Sequence, residues 1–177
     1  VPLTIFTDVK AKDKTEVTWS AGQLADQIKK VSAVTKAELP LLKLARFGER
    51  RGRRGALRTN DNVAEVCGIE VEYDGGEVGL DAAVRILGEA VLGAISYTTP
   101  SHTPDKPRWR ALLPCSRSLL PAEHRKLGAR ANGIFGGILA RESFVLSQAY
   151  YYGHQRENAE NHRVELIEGD FIDLRPD

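Results

Sequence analysis

Apolar positions recur along this chain with two periods, and each period predicts one kind of secondary-structure element. Helical spacing predicts three helices, one beginning after the N-cap Ser20, one over 80–92 and one over 121–135, which ends at Gly136-Gly137. Short runs of apolar and β-branched residues predict strands at 3–9, 66–74, 93–98, 107–114, 144–152 and 163–168. Each element is short enough to belong to a compact mixed fold.

From residue 66 onward, the predicted elements follow one another as strand, helix, strand, strand, helix and strand. This order is typical of a split βαβ core, ferredoxin- or RRM-like, with a mixed sheet and helices on one face. In the preceding segment, 37–47 is apolar but broken by Pro40, which indicates a loop or a short helix. The fold class is therefore predicted as α+β, a single domain with an N-terminal α/β extension over 1–45 and a core over 46–177.

Composition limits the class of protein. Hydrophobic residues make up 42% and charged residues 28% of the 177 residues, which is typical of a soluble globular chain. No apolar run approaches the length that spans a bilayer, so we expect no membrane partner. The N-terminus lacks a secretion signal, and Cys67 and Cys115 are too far apart for a zinc motif, which favours a cytoplasmic location.

The most informative segment is 68–76, which reads Gly-Ile-Glu-Val-Glu-Tyr-Asp-Gly-Gly. Alternate side chains of a strand share a face, so Glu70, Glu72 and Asp74 would project together. Such a row of carboxylates repels itself unless a positive group lies against it, and a hard cation such as Mg²⁺ or Mn²⁺ is the usual partner. The alternative is the solvated face of an edge strand with basic neighbours across the sheet.

A second cluster lies on the next predicted hairpin. Ser101 and His102 stand in the loop, and Arg108 and Arg110 stand at alternate positions of the strand that follows. Guanidinium groups offer a fixed fork of donors that suits phosphate oxygens, which favours a phosphate-binding role. The two arginines could instead pair with the acids of the first strand, and a direct salt bridge would remove the need for a metal.

Basic residues are concentrated before the acidic strand. Seven lie between residues 43 and 58, against the single acid Glu49. A basic block in a chain of net charge +1 indicates a polyanion at one place, although charge runs are usually solvated loops. The predicted nucleic-acid-binding residues are Arg50, Arg51, Arg53, Arg54 and Arg58.

Taken together, these motifs resemble the archaeo-eukaryotic primase superfamily, specifically the primase-polymerase domains of phage and plasmid replication proteins. The acidic strand ending in Gly-Gly is similar to that family's first motif, and Ser101-His102 is similar to its second. The segment Arg-Trp-Arg-Ala-Leu-Leu-Pro over 108–114 is typical of the phage and plasmid branch, and 142–152 stands where the third motif supplies a further acid. The resemblance covers about 47–174.

The resemblance implies a DNA-directed primase or polymerase that uses nucleoside triphosphates on a DNA template, with two bound Mg²⁺ or Mn²⁺ ions. The implied metal ligands are Glu70, Glu72, Asp74 and Glu142, and the implied catalytic residues are Glu70, Glu72, Asp74 and His102. The implied nucleotide-binding residues are Ser101, His102, Arg108 and Arg110. Because the chain starts at Val and contains no Met, we expect a fragment of a larger replication protein, with a helicase domain as a candidate neighbour.

Two other functions fit the same residues. A catalytically inactive DNA-binding module of a replication initiator would keep the basic loop and the aromatic strand without needing a metal. A metal-dependent nuclease would also use clustered acids, but a paired-His pattern is absent and only the Tyr150–Tyr152 run offers a nucleophile. Binding of Mn²⁺ separates the first alternative from an enzyme, and cleavage of DNA without nucleotides separates the second.

Overall fold

The computed structural model describes residues 1–176, and this part of the chain folds into an α+β structure, as predicted. Its three α-helices are α1 (Ala21–Lys30), α2 (Leu80–Glu89) and α3 (His124–Ile134). The strands are β1 (Pro2–Phe6), β2 (Thr15–Thr18), β3 (Ser32–Ala33), β4 (Leu41–Lys43), β5 (Ala45–Phe47), β6 (Val63–Tyr73), β7 (Ala94–Thr98), β8 (Trp109–Leu119), β9 (Tyr150–Tyr151), β10 (His154–Gln155) and β11 (Val164–Ile167). None of the helices within 1–176 has the length and apolarity needed to cross a bilayer.

The central sheet has the strand order β11-β7-β8-β6-β5. Strands β6 and β7 run parallel to each other on either side of β8, and α2 connects them, so the split βαβ unit is confirmed. Each hydrogen-bonded ladder of this sheet is antiparallel, whereas the sequence predicted mixed pairing. The acidic strand β6 lies between β5 and β8, but β5 pairs only with 63–66, so Glu70 and Glu72 lie on a part of the strand that pairs with β8 alone.

One face of the central sheet is covered by α2 and α3, whose apolar sides share a core with alternate residues of β6 and β8. Trp109 is fully buried in this core, where its ring stacks 5.2 Å from that of Tyr73 and lies 5.2 Å from Phe135. The indole Nε1 donates to the carbonyl oxygen of Val78 at 3.0 Å, so its one polar group is satisfied. This packing fixes the end of β6 and the start of β8 relative to each other.

The opposite face is covered by the N-terminal part of the chain, which we call the N-terminal lobe (residues 1–44). This lobe contains α1 and most of a second sheet of order β2-β1-β4-β9. Leu44 packs directly on Gly68 of β6, where a Cβ atom would come within 2.5 Å of its Cδ1. The helices are therefore not confined to one face, and the middle of β6 is closed to ligands on both sides.

Two segments differ from their predicted structure. In 37–47, predicted as a loop or short helix, the first two residues end a short 3₁₀ helix, but 41–43 and 45–47 form the strands β4 and β5. Residues 144–152 were predicted as one strand, but only Tyr150–Tyr151 pairs, after a 3₁₀ helix at Arg141–Phe144. Both segments are held by long-range pairing, with β1 and with β4, and strands of two or three residues are too short to show an alternating pattern.

The structure predicts an acid-sensitive stability through His124, at the start of α3. Burial, and then the positive charge of Lys43, lower the pKa of His124 to about 3. An unfolded histidine takes up its proton near pH 6.5, so between these values the unfolded state binds more protons. The contribution of His124 to the free energy of unfolding should therefore be fully present above pH 6.5 and should be lost as the pH drops towards 3.

Urea unfolding at pH 7 and pH 5 checks this prediction. The wild-type chain should lose more stability between the two pH values than the His124→Leu variant. Burial also lowers the pKa of His102 and His162, so the variant should keep part of the loss. An equal loss in both proteins would contradict the assignment to His124.

Candidate active site

A polar cleft of about 310 Å³ lies where β6 ends and β8 begins. We call it the basic cleft, because four cationic side chains and two carboxylates line it, a formal balance of +2. Its polar and aromatic walls come from β6, β8, the loops before them, β9 and the N-terminal lobe. The residues that define it are Lys36, Arg58, Glu72, Asp74, Ser101, Arg108, Arg110, Tyr150 and Tyr151.

Glu72 is held in the cleft by contacts on both its side chain and its backbone. Arg110, its cross-strand partner on β8, donates from Nε at 3.0 Å and from Nη2 at 2.5 Å, and both contacts end on Oε1. The backbone N–H of Glu72 donates to Ser143 Oγ at 2.9 Å, and its carbonyl oxygen accepts from Ala140 N at 2.8 Å. The sequence left open that the two arginines pair with the acids of the first strand instead of a phosphate. For Arg110 and Glu72, the structure has this salt bridge.

Arg110 is itself fixed by the β9 segment. Its Nη1 donates to the carbonyl oxygen of Tyr151 at 2.7 Å, and its guanidinium lies 4.7 Å from the centroid of the Tyr150 ring. Burial acts to lower the pKa of Arg110, but the neighbouring Tyr97 and Glu72 offset it and the pKa is raised. Arg110 is thus a preorganised cation with a carboxylate and an aromatic face as partners.

Glu70 lies outside the basic cleft. Its side chain is buried between β6 and the N-terminal lobe, where Lys43 Nζ contacts Oε2 at 2.5 Å and the backbone N–H of Leu44 donates to Oε1. The lysine side chain is 1% exposed and the glutamate side chain is 0% exposed. The row of acids was expected to need a positive group against it. For Glu70, this positive group is Lys43.

The other two predicted metal ligands are both exposed, but only one of them lies at the cleft. Asp74 follows the last residue of β6 and lines the cleft, next to the bend that Gly76 makes with a φ of 81°. Glu142 lies on the 3₁₀ helix Arg141–Phe144 and is not among the lining residues. Of the four predicted metal ligands, Glu72 and Asp74 thus line the basic cleft, and Glu70 and Glu142 do not.

Ser101 and His102 occupy the loop between β7 and β8. Ser101 lines the basic cleft, and His102 lines a second hollow that shares Ser101 with it. The His102 ring is oriented by the backbone N–H of Arg108, which donates to Nδ1 at 3.1 Å, so the neutral ring carries its proton on Nε2. Burial and the charge of Arg163 lower the pKa of His102, which favours this neutral donor form.

The C-terminal part of the chain also holds this loop. Asn158 Nδ2 donates to the carbonyl oxygen of His102 at 2.8 Å, and Asn161 Nδ2 donates to Asn158 Oδ1 at 2.6 Å. Both asparagines lie in the 3₁₀ segment Arg156–Asn161. No local motif marks them in the sequence, because their role depends on a contact with a residue more than fifty positions away.

The predicted nucleic-acid-binding arginines separate into two groups. Arg50, Arg51, Arg53 and Arg54 are exposed on the loop before β6. Arg58 is half-buried and lines the basic cleft, with Nη2 donating to the carbonyl oxygen of Val9 at 3.4 Å. Arg58 therefore lines the same cleft as Arg108 and Arg110, whereas the other four arginines lie on the exposed loop.

One cleft residue was not predicted from the sequence. Lys36 reaches the cleft from the N-terminal lobe, and its Nζ lies 3.3 Å from Ser101 Oγ. Its only local signal is the pattern of Thr35 and Glu38 around the 3₁₀ helix Lys36–Glu38, where the Glu38 carboxylate accepts from the backbone N–H of Thr35. That pattern predicts a short helical turn but not the contact with the second motif.

The fold of this chain is similar to that of a protein of known structure. No family model matches the chain, and no curated protein matches it. Among solved structures, the AEP domain of the primase-polymerase of cyanophage S-2L matches with a TM-score of 0.55 and 11% sequence identity. The match covers 96% of this chain and 82% of that domain. The fold is of the primase-polymerase type. At this identity, the likeness establishes the fold and not the activity.

The fit of a divalent cation to this site depends on which carboxylates can reach it. Within residues 1–176, no group of three or more His, Cys, Asp or Glu side chains is arranged to hold a metal. The row of three acids does not fit a shared ion, because Lys43 neutralises Glu70 in the interior. Glu72 and Asp74 do supply hard oxygen ligands at the cleft, and Arg110 contacts only Oε1 of Glu72.

Proposed function

We propose that this chain is a metal-dependent nucleotidyltransferase, a primase-polymerase that makes or extends primers on a nucleic-acid template during phage or plasmid replication. The observation that carries the proposal is the basic cleft, where Glu72 and Asp74 meet four cations at the end of β6. The fold likeness to a phage primase-polymerase domain supports it. The cleft's net positive charge suits the triphosphate of a nucleotide.

The side chains have separate roles in this proposal. Arg108 and Arg110 bind phosphate oxygens of the incoming nucleotide, and Ser101 donates its hydroxyl to them. His102, with its proton on Nε2, donates to the nucleotide from the adjoining hollow. The exposed arginines at 50–54 bind the phosphate backbone of the template, which makes template affinity dependent on salt.

Glu72 and Asp74 are the proposed metal ligands, and Mg²⁺ or Mn²⁺ is the proposed ion. When bound, such an ion would neutralise phosphate charge and lower the pKa of the attacking hydroxyl. Glu70 is not proposed as a ligand, and its role is to neutralise Lys43 beneath the site. Glu142 is likewise left out, because it does not line the cleft.

A second function is favoured by one observation, the salt bridge between Arg110 and Glu72. If Glu72 stays paired with Arg110 and binds no metal when nucleotide is present, the chain is a catalytically inactive module that binds nucleotide and nucleic acid for a replication initiator. Both functions predict nucleotide binding in the cleft, but only the first predicts a longer product strand.

A primer-extension assay tests the proposal. The protein is incubated with a labelled primer on a DNA template, nucleoside triphosphates and Mn²⁺ or Mg²⁺, and the products are separated by length. We expect extension that needs both the nucleotides and the metal. A chain that binds nucleotide but extends nothing is the inactive module, and shortening of the DNA without nucleotides would identify a nuclease.

A further inference from the structure

Lys36 is the one cleft cation that belongs to the N-terminal lobe. Its short helix is fixed before any ligand arrives, because Thr35 N donates to Glu38 Oε2 at 2.9 Å and Thr35 Oγ1 lies 3.1 Å from the same oxygen. Leu39, which directly follows this short helix, is fully buried. Lys36 Nζ then lies 3.3 Å from Ser101 Oγ and 5.6 Å from the centroid of the Tyr151 ring.

The surroundings of Lys36 are unfavourable for a cation in the absence of an anion. Burial lowers the pKa of Lys36 first, and the positive charge of Arg110 lowers it further. Glu72 raises it and Arg108 lowers it again, so the one nearby carboxylate does not offset the burial and the two arginines. An anion among these cations would replace the repulsion with attraction.

The cleft also holds hydrogen-bond donors without acceptors. Among residues 1–176, the buried Nε atoms of Arg58 and Arg108 have no hydrogen-bond partner. Buried donors of charged groups are costly when unsatisfied, and both arginines line the basic cleft, so no protein acceptor at Nε offsets their positive charge there. A chain of phosphates supplies several acceptor oxygens at once.

We propose that Lys36 closes the basic cleft from the N-terminal lobe and that, with Arg58, Arg108 and Arg110, it binds a triphosphate without a divalent cation. Four positive groups against two carboxylates leave a balance of +2, which a polyphosphate can complement directly. This inference rests on the proposed nucleotide site. It adds Lys36 to that site and states that the triphosphate binds there without a metal, which nucleotidyl transfer does not require.

Calorimetric titration of inorganic triphosphate in buffer with EDTA tests the inference. The wild-type chain should bind, and Lys36→Met should weaken binding about tenfold or more, because it removes one charge-assisted contact. Lys36→Arg should restore most of the affinity. Lys30→Met, the same change at an exposed lysine of α1, is the control and should bind like the wild type.

The outcomes separate this inference from the proposed function. No binding by the wild type in EDTA, or equal binding by Lys36→Met with an unchanged melting temperature, overturns the inference. Primer extension in Mn²⁺ by a chain that binds no triphosphate in EDTA would keep the proposed function and reject the metal-independent site. Triphosphate binding in EDTA that depends on Lys36, without any primer extension, would support this inference and reject nucleotidyl transfer.

Discussion

Replacing Lys43 by Met should lower the free energy of unfolding by about 3–5 kcal/mol, because it leaves the Glu70 carboxylate buried without its cation. Both side chains of this pair are at most 1% exposed, so water cannot take over the role of the lysine. Equilibrium unfolding in urea measures the effect. Lys30→Met, an exposed position of α1, is the matched control and should change the unfolding free energy by about 0.5 kcal/mol or less.

The double variant Lys43→Met/Glu70→Met should recover most of the lost stability. Apolar side chains of similar length can replace a buried ion pair at little cost, and often stabilise the fold. The comparison therefore measures the cost of the unpaired charge separately from the loss of packing. If Lys43→Met unfolds at the wild-type urea concentration, the buried pair does not exist as described, and Glu70 becomes available again as a metal ligand.

Replacing Asp74 by Asn should reduce nucleotide incorporation by about a hundredfold or more, since it removes a negative ligand from the site of charge development. Asp74 is exposed and lies beyond the end of β6, so the free energy of unfolding of the Asp74→Asn variant should be close to that of the wild type. Single-turnover primer extension with Mn²⁺ measures the rate, and urea unfolding confirms that the variant is folded.

The control for this experiment is Asp26→Asn, the same chemical change at an exposed position of α1. It should extend primers at the wild-type rate. If Asp74→Asn also keeps full activity, the carboxylate at the cleft has no part in the reaction. The proposed metal site at Glu72 and Asp74 would then be wrong.

The two experiments together separate acids that look equivalent in the sequence. Glu70 lies on β6 and Asp74 just past its end, four residues apart, yet one should affect mainly stability and the other mainly activity. The difference arises because Lys43 of β4 and Leu44 cover β6 at Gly68 and Glu70, whereas the cleft opens at the end of β6. The resemblance to the primase family implied all three acids as ligands, and the structure restricts the proposal to two.

Several features of the fold could be predicted from short segments alone. The capping box at Ser20 and Gln23 predicted α1, and both of its hydrogen bonds are present. The period of two over 66–74 predicted a strand, and in the structure 66–73 lies in β6, which ends one residue before Asp74. Trp109 stands between Arg108 and Arg110, so the period of two places it on the other face of the strand, and it is fully buried. These features depend on neighbours within a few residues, and local sequence contains that information.

Other features depend on which distant segments meet. The strands β4 and β9 are visible only as partners of β1 and of each other, since neither is long enough to show a period. The same holds for the site, where Lys36 meets Ser101 across 65 positions and Lys43 meets Glu70 across 27. A basic residue in the sequence shows that a positive charge is present but not which carboxylate or cleft it will reach.

The sequence by itself determined the class of fold, the strand face that Glu70 and Glu72 share, and the presence of a serine-histidine loop beside two arginines. It did so because side-chain direction along a strand follows from backbone geometry. Only the tertiary structure decided that Glu70 is neutralised in the interior, that Glu72 pairs with Arg110, and that Lys36 and Arg58 enter the cleft. These outcomes follow from how the N-terminal lobe packs on the central sheet, a long-range arrangement that no local pattern encodes.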